Sequence, residues 1–345
     1  MRGISRWPVV LLAASGLVAA GCGDDDMPPA GTDAGVDASR PPPVDGGGVD
    51  GGGNDGGGLP ATPPTTVSMV ANAGFSNPTD AVVSNDGSTI FFAAFNETGD
   101  AAIFSVASTG GAPVVVFEGL PLEFVTGLVL ALDGATLYIA DAAGGPDGEG
   151  AIFSMPVAGA MPAPVTATGL THPNALAIDM EGAMLVVSGR VEATGLPGVF
   201  KVPVGGGAAV PIASGGNLVS PTGLYADPAT DDVWALDHLA EGTNGVGVLW
   251  RIHGTDAPVE VVSGLVLGAP GGVSLTAGGG TAVIASRNAA GQGSLVTVDI
   301  ATMAVGTAAD ATSIMMVDPA GLRVARGAGV FAIADSEGNA IFSAR

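Results

Sequence analysis

The chain is short of the residues on which most metal and nucleophilic chemistry depends. Among 345 residues there is one Cys, three His and a single Lys, Lys201, and charged residues make up only 12%. One cysteine excludes thiolate zinc clusters and any intrachain disulfide. Three histidines leave little room for a His-rich metal centre, so a bound metal would be a hard cation held by oxygen, Ca²⁺ or another divalent ion. No G-x-S-x-G elbow, H-E-x-x-H pair or P-loop occurs. The formal net charge is −23, and no basic stripe exists to neutralise phosphates. Nucleic acid is thereby excluded as a partner. Helical periodicity is nowhere sustained over the roughly 11 residues a helix reading requires.

What the chain does have is repetition. Segments align on the anchors Pro78, Val125, Pro173, Pro221, Pro270 and Pro319, which are 47, 48, 48, 49 and 49 residues apart. Each unit predicts four strands. Strand a follows the anchor and is centred on triplets such as Ala81-Val82-Val83, Leu128-Val129-Leu130 and Leu322-Arg323-Val324. A tight turn follows, as in Asn85-Asp86-Gly87 or Met180-Glu181-Gly182, with glycine supplying the positive φ. Strand b is a short apolar run, and strand c reads Ala102-Ile103-Phe104-Ser105-Val106 and its five counterparts. Strand d occurs only five times, because the sixth unit ends at Arg345. A spare strand at about residues 65–71 precedes the first anchor and would complete the last unit, leaving no unpaired edge. The expected fold is all-β: a six-bladed β-propeller of four-stranded blades over residues 61–345.

The first sixty residues differ in kind. A basic start with Arg2 and Arg6 precedes a 14-residue apolar stretch, Trp7–Ala20, too short to span a bilayer of roughly 30 Å. It reads as a signal peptide over 1–21. Small residues Ala20 and Gly21 directly before Cys22 resemble a bacterial lipobox, with Cys22 as the lipidated residue; the alternative is an ordinary secretory signal with an incidental cysteine. Residues 22–60 form an acidic tether rich in Gly, Asp and Pro that cannot bury a core. As a flexible coil it would reach roughly 30–37 Å. The expected location is the bacterial cell envelope, on its periplasmic or cell-surface side, with the membrane contacted through the lipid.

In a propeller the b-to-c and d-to-a connections emerge on one face. The b-to-c loops here are long and polar, notably 142–150, 189–197 and 238–247, so loop length predicts that face as functional. On it fall Asp80, Asp141, His172, Asn174, Asp237, His238, Arg287 and Asp335. Asp141, Asp237 and Asp335 end b strands at equivalent positions and could bond loop amides instead. His238 beside Asp237 could be an oriented base, although adjacent strand residues point to opposite faces. His172 reads as a ligand or as a surface loop residue, and Arg287 as an anion contact or a salt bridge. The loop from Asp141 to Glu149 carries three carboxylates among glycines, which suits Ca²⁺ in principle.

Pro173-Asn174-Ala175-Leu176-Ala177-Ile178-Asp179 and Leu137-Tyr138-Ile139-Ala140-Asp141 resemble NHL-type repeats. They are also similar to the six-bladed gluconolactonase/regucalcin and strictosidine-synthase-like group. That resemblance implies the propeller fold and a divalent metal at the channel mouth, held by Glu, Asn and Asp from different blades. Asn174 matches one such Asn motif and Asp80 stands one place beyond a Pro-Asp-Gly position; Asp237 is a further candidate ligand, and the metal set that the resemblance implies is incomplete. Other anchors offer Thr126, Thr222, Gly271 and Ala320, and no Glu occupies a matching first-blade site. The expected function is therefore a non-enzymatic binding module, meeting an envelope protein or small molecule through its loop-rich face. The alternative is a metal-dependent lactonase-like hydrolase using Asp80, Asn174 and Asp237.

Overall fold

Six antiparallel blades follow one another along the chain, one for each of the six anchors; each has four strands, and in the third a further short segment, Leu170–Thr171, also pairs with strand b ahead of strand a. The computed structural model describes residues 59–242, 245–288, 290–309 and 316–345; the leader over 1–21, Cys22 and the tether up to residue 58 lie outside them. The innermost strands are Ser76–Val83, Val125–Leu130, Leu176–Ile178, Pro221–Ala226, Val273–Leu275 and Pro319–Val324. Each packs on the next, and the last packs on the first, so the ring is closed. The sequence period and the blade period are the same.

Closure is made by the strand expected to make it. Val67–Ala71 pairs antiparallel with Ala340–Ala344 as the outermost strand of blade six. The amides of Thr65 and Thr66 both donate to the Arg345 carbonyl, at 2.7 and 2.9 Å, and the Arg345 amide donates to Thr66 O at 3.0 Å. The last two residues of the expected tether also belong to the propeller. Pro60 O accepts from the Ala277 amide at 2.8 Å, and Leu59 is half-buried. Both are apolar, unlike the Asp/Gly units before them, and Pro adds stiffness.

The core consists of six separate apolar layers, one between each pair of neighbouring blades. Alternation along strand b explains this. Phe91 points into the layer shared with blade two, alongside Leu128 and Ile139, whereas Phe92 points into the layer shared with blade six, alongside Ala332 and Ile341. Both faces of every inner strand are thus buried, which is why strand b reads as a continuous apolar run. In the layer between blades six and one, Phe92 stacks on Phe104 at 5.2 Å between centroids and meets Phe75 edge-on at 4.8 Å.

Near the axis the blades approach so closely that side chains do not fit. The position two after the anchor is glycine in four blades: Gly127, Gly223, Gly272 and Gly321. A Cβ on Gly223 would lie 2.8 Å from Gly271 O, and one on Gly272 would overlap the Leu322 amide. In blade one that position is Asp80, whose carboxylate fills the space that a Cβ on Gly321 would need.

Candidate functional site

On the loop-rich face the acidic residues are occupied. Asp141, fully buried, accepts from the amides of Glu123 (2.7 Å), Phe124 (3.0 Å), Ala143 (3.0 Å) and Gly144 (2.7 Å). Asp237 accepts from Val219 (2.7 Å), Ser220 (2.9 Å) and Leu239 (3.2 Å). Asp335 accepts from Val317 (2.7 Å), Asp318 (2.8 Å) and Gly338 (2.9 Å). In each blade the carboxylate ties the loop entering strand a to the start of the loop leaving strand b. A carboxylate has about four acceptor sites, so these amides consume most or all of them.

Most of the other residues on that face are also engaged, Asn174 Oδ1 being the exception. Arg287 is paired with Asp318, its Nε at 3.0 Å from Oδ1. His238 is buried with Nδ1 at 3.2 Å from Ser220 O and 3.4 Å from Thr222 Oγ1, so Asp237 does not orient it. His172 is exposed, with Nδ1 3.4 Å from Glu149. The Asn174 carbonyl accepts from Thr126 Oγ1 at 3.0 Å, while its side-chain Oδ1 is buried without a partner. Asp80 sits deeper. Its Oδ1 accepts from the Ala81 amide at 2.9 Å, and its Oδ2 from the Leu128 amide at 2.8 Å, with Arg323 Nη2 at 3.4 Å. Burial pushes its pKa up from the ordinary carboxylate value, with Arg323 and the two amides acting the other way. No hydrogen bond joins Asp80, Asn174 and Asp237 to one another. Among the described residues no three His, Cys, Asp or Glu side chains form a metal-holding group.

A cavity opens on the opposite face. Its volume is about 590 Å³, and its rim is formed by the tight a-to-b turns, including Asn85, Leu132, Met180 and Pro228. Loop length measures how much chain is exposed, not where the channel widens. On the loop-rich face the three aspartates and the Arg287–Asp318 pair fasten the loops down.

The wall is a ring with one residue from each blade, each four places after its anchor: Val82, Val129, Ala177, Tyr225, Ser274 and Arg323. Blades one to three contribute small apolar side chains, and blades four to six contribute hydrogen-bonding ones. Arg323 closes the floor. Its Nη1 donates to Leu322 O at 3.0 Å and its Nη2 reaches Leu176 O at 3.2 Å, on blade three across the axis. The buried Arg323 Nε, Tyr225 hydroxyl and Ser274 Oγ have no hydrogen-bond partner. Burial, with Asp227 assisting, pushes the Tyr225 hydroxyl well above its ordinary pKa, and Arg326 works against that. Arg326 lies half-buried at the rim, and burial lowers its pKa. Residue-by-residue reading missed all four. The available signal was the middle residue of the six strand-a triplets, where Tyr, Ser and Arg interrupt Val, Val and Ala.

No protein-family model matches the chain, and no curated protein matches it. Solved structures do share the fold. An auxiliary nutrient binding protein from Bacteroides ovatus superposes with a TM-score of 0.58 at 10% identity, covering 82% of this chain and 77% of the other. A nidogen/laminin complex gives 0.52 at 15% identity, over 66% of this chain and 78% of that one. TolB from Acinetobacter baumannii gives 0.51 at 12% identity; the match covers 78% of this chain and 54% of that chain. At these identities the likeness establishes the propeller and nothing further.

Proposed function

We propose that this propeller is a cell-envelope binding protein, tethered through a lipid on Cys22, that takes a small molecule in its turn-face cavity. One observation carries the reading: the cavity pairs an apolar wall on three blades with the hydrogen-bonding side chains Tyr225, Ser274 and Arg323 on the other three. Its size falls within the roughly 300–1,000 Å³ of small-molecule sites, which typically combine apolar walls with a few convergent polar groups. A nutrient binding protein among the fold's neighbours fits this reading. The engaged acids of the loop-rich face give that side a framework role.

Thermal-shift screening of the mature protein against a metabolite library tests it. Hits should lose their shift in Ala177→Leu, which fills the wall of the cavity, and keep it in His172→Ala on the loop-rich face. Hits that behave the other way round would overturn the assignment of the cavity. For the anchor, Cys22→Ser should move the protein from the membrane to the soluble fraction, and continued sedimentation with membranes would refute lipidation.

A further inference from the structure

What the turn-face cavity can hold depends on which atoms reach its surface. Thirteen of its 21 lining residues are aliphatic, Met or Pro, so hydrocarbon forms most of the wall. Tyr225, Ser274 and Arg323 belong to the same wall, but the Tyr225 hydroxyl, Ser274 Oγ and Arg323 Nε are buried out of reach. The other Arg323 nitrogens are taken by Leu322 O, Leu176 O and Asp80. A molecule in the cavity therefore meets the Tyr225 ring rather than its oxygen, and almost nothing of Ser274, which is 1% exposed.

Charge is present, but it is matched and engaged. Asp86, Asp179, Arg323 and Arg326 line the cavity, two of each sign. Asp86 accepts from the Ser84 hydroxyl and from the amide and hydroxyl of Ser88, within its own turn. Asp179 accepts from the Ala183 and Met184 amides. Two more acids lie beside the cavity: Asp80 against Arg323, and Asp227, which accepts from the Ala229 amide and Thr230 Oγ1. Counting them, carboxyl groups outnumber guanidinium groups four to two, so no positive charge is left over for an anion. A cation fares little better, because each carboxylate already has donors that it would have to displace.

Concave apolar surface left open to water marks a binding groove. Filling it removes hydrocarbon from water, and the gain scales with the apolar area buried. A charged group drawn inside would lose its hydration without finding a free partner.

We propose that the cavity ligand is a neutral, predominantly hydrocarbon molecule. Its body lies against Val82, Val129, Ala177, Met180 and the Tyr225 ring, and any polar end stays at the open rim. This rests on the small-molecule reading above and narrows its ligand class, excluding sugars and amino acids.

The test uses the mature full chain, calorimetry and the alkanols hexanol, octanol and decanol, with octanoate, octylammonium, glucose and leucine for comparison. The alkanols should bind saturably, and each added CH₂ should tighten binding about two- to fourfold. Octanoate and octylammonium should bind no more tightly than octanol, and glucose and leucine should not bind. Met180 is 52% exposed, so Met180→Asp is expected to fold; by placing a charge on the apolar rim it should weaken octanol about threefold or more. Octanoate or octylammonium binding more tightly than octanol, affinity flat from hexanol to decanol, or no alkanol binding would each overturn the hydrocarbon assignment. Glucose or leucine binding that disappears in Ala177→Leu would also overturn it, while leaving the small-molecule reading in place. That reading fails separately if octanol binding survives unchanged in both Ala177→Leu and Met180→Asp. Melting curves check folding, and Met180→Asp alone decides if Ala177→Leu does not fold.

Discussion

The two faces of the propeller spend their polar groups in opposite ways. On the loop-rich face Asp141 meets four amides, and Asp237 and Asp335 three each. On the turn face Tyr225, Ser274 and Arg323 Nε meet none. A satisfied buried group holds a structure together, whereas an unsatisfied one raises its free energy. The contrast is one of degree, since Asn174 Oδ1 on the loop-rich face is also buried without a partner.

Substitutions can break that comparison. Asp141→Ala strands four amides, and we expect it to cost about 2–4 kcal/mol in urea denaturation. A loss below about 0.5 kcal/mol would mean that water replaces the carboxylate and the loop-rich face is not fastened by it. Arg287→Ala deprives the largely buried Asp318 of its cation and should cost about 1–2 kcal/mol, discounted for the exposure of the pair. On the turn face the sign should reverse. Ser274→Ala removes a buried hydroxyl without a partner and should stabilise the ligand-free protein by about 1 kcal/mol. Arg326→Gln should stay within about 0.5 kcal/mol of the parent.

The Asp80 carboxyl sharpens the comparison through pH. Burial raises its folded-state pKa above the unfolded value. The folded protein therefore holds that proton more tightly, and the stability it contributes is greatest in acid. It fades as pH climbs through the raised pKa. Asp80→Asn has no proton to exchange. The melting temperature of the parent relative to Asp80→Asn should therefore fall as pH rises above the ordinary carboxylate range of about 4. A rise instead would mean that the Arg323 charge outweighs burial.

The fold was legible because its signal is repeated six times: the 47–49-residue spacing and the missing sixth d strand point to one closed ring. The site was not legible in the same way. Val82, Val129, Ala177, Tyr225, Ser274 and Arg323 lie in six different repeats and become neighbours only once the ring closes. Tyr225 within Leu-Tyr-Ala, or Ser274 within Val-Ser-Leu, looks like an ordinary strand residue. Asp237 and His238 attracted attention because they are adjacent in sequence, yet the pleat sends them to different partners: loop amides for Asp237, Ser220 O and Thr222 for His238. Arg326 follows strand a in a turn, where a charge is unremarkable until the ring places it at the cavity rim.

The seam has a mechanical consequence. Any pull on residues 1–58 enters the propeller at Pro60, held to Ala277, and passes next to the two amides of Thr65 and Thr66 on Arg345. Beyond them lies Val67–Ala71, an outermost strand bonded on one side only. Load is delivered to the final joint of the ring, and the first element it peels away is the one that closes it. The five other blades keep all four of their strands, while blade six is left with three and an open edge.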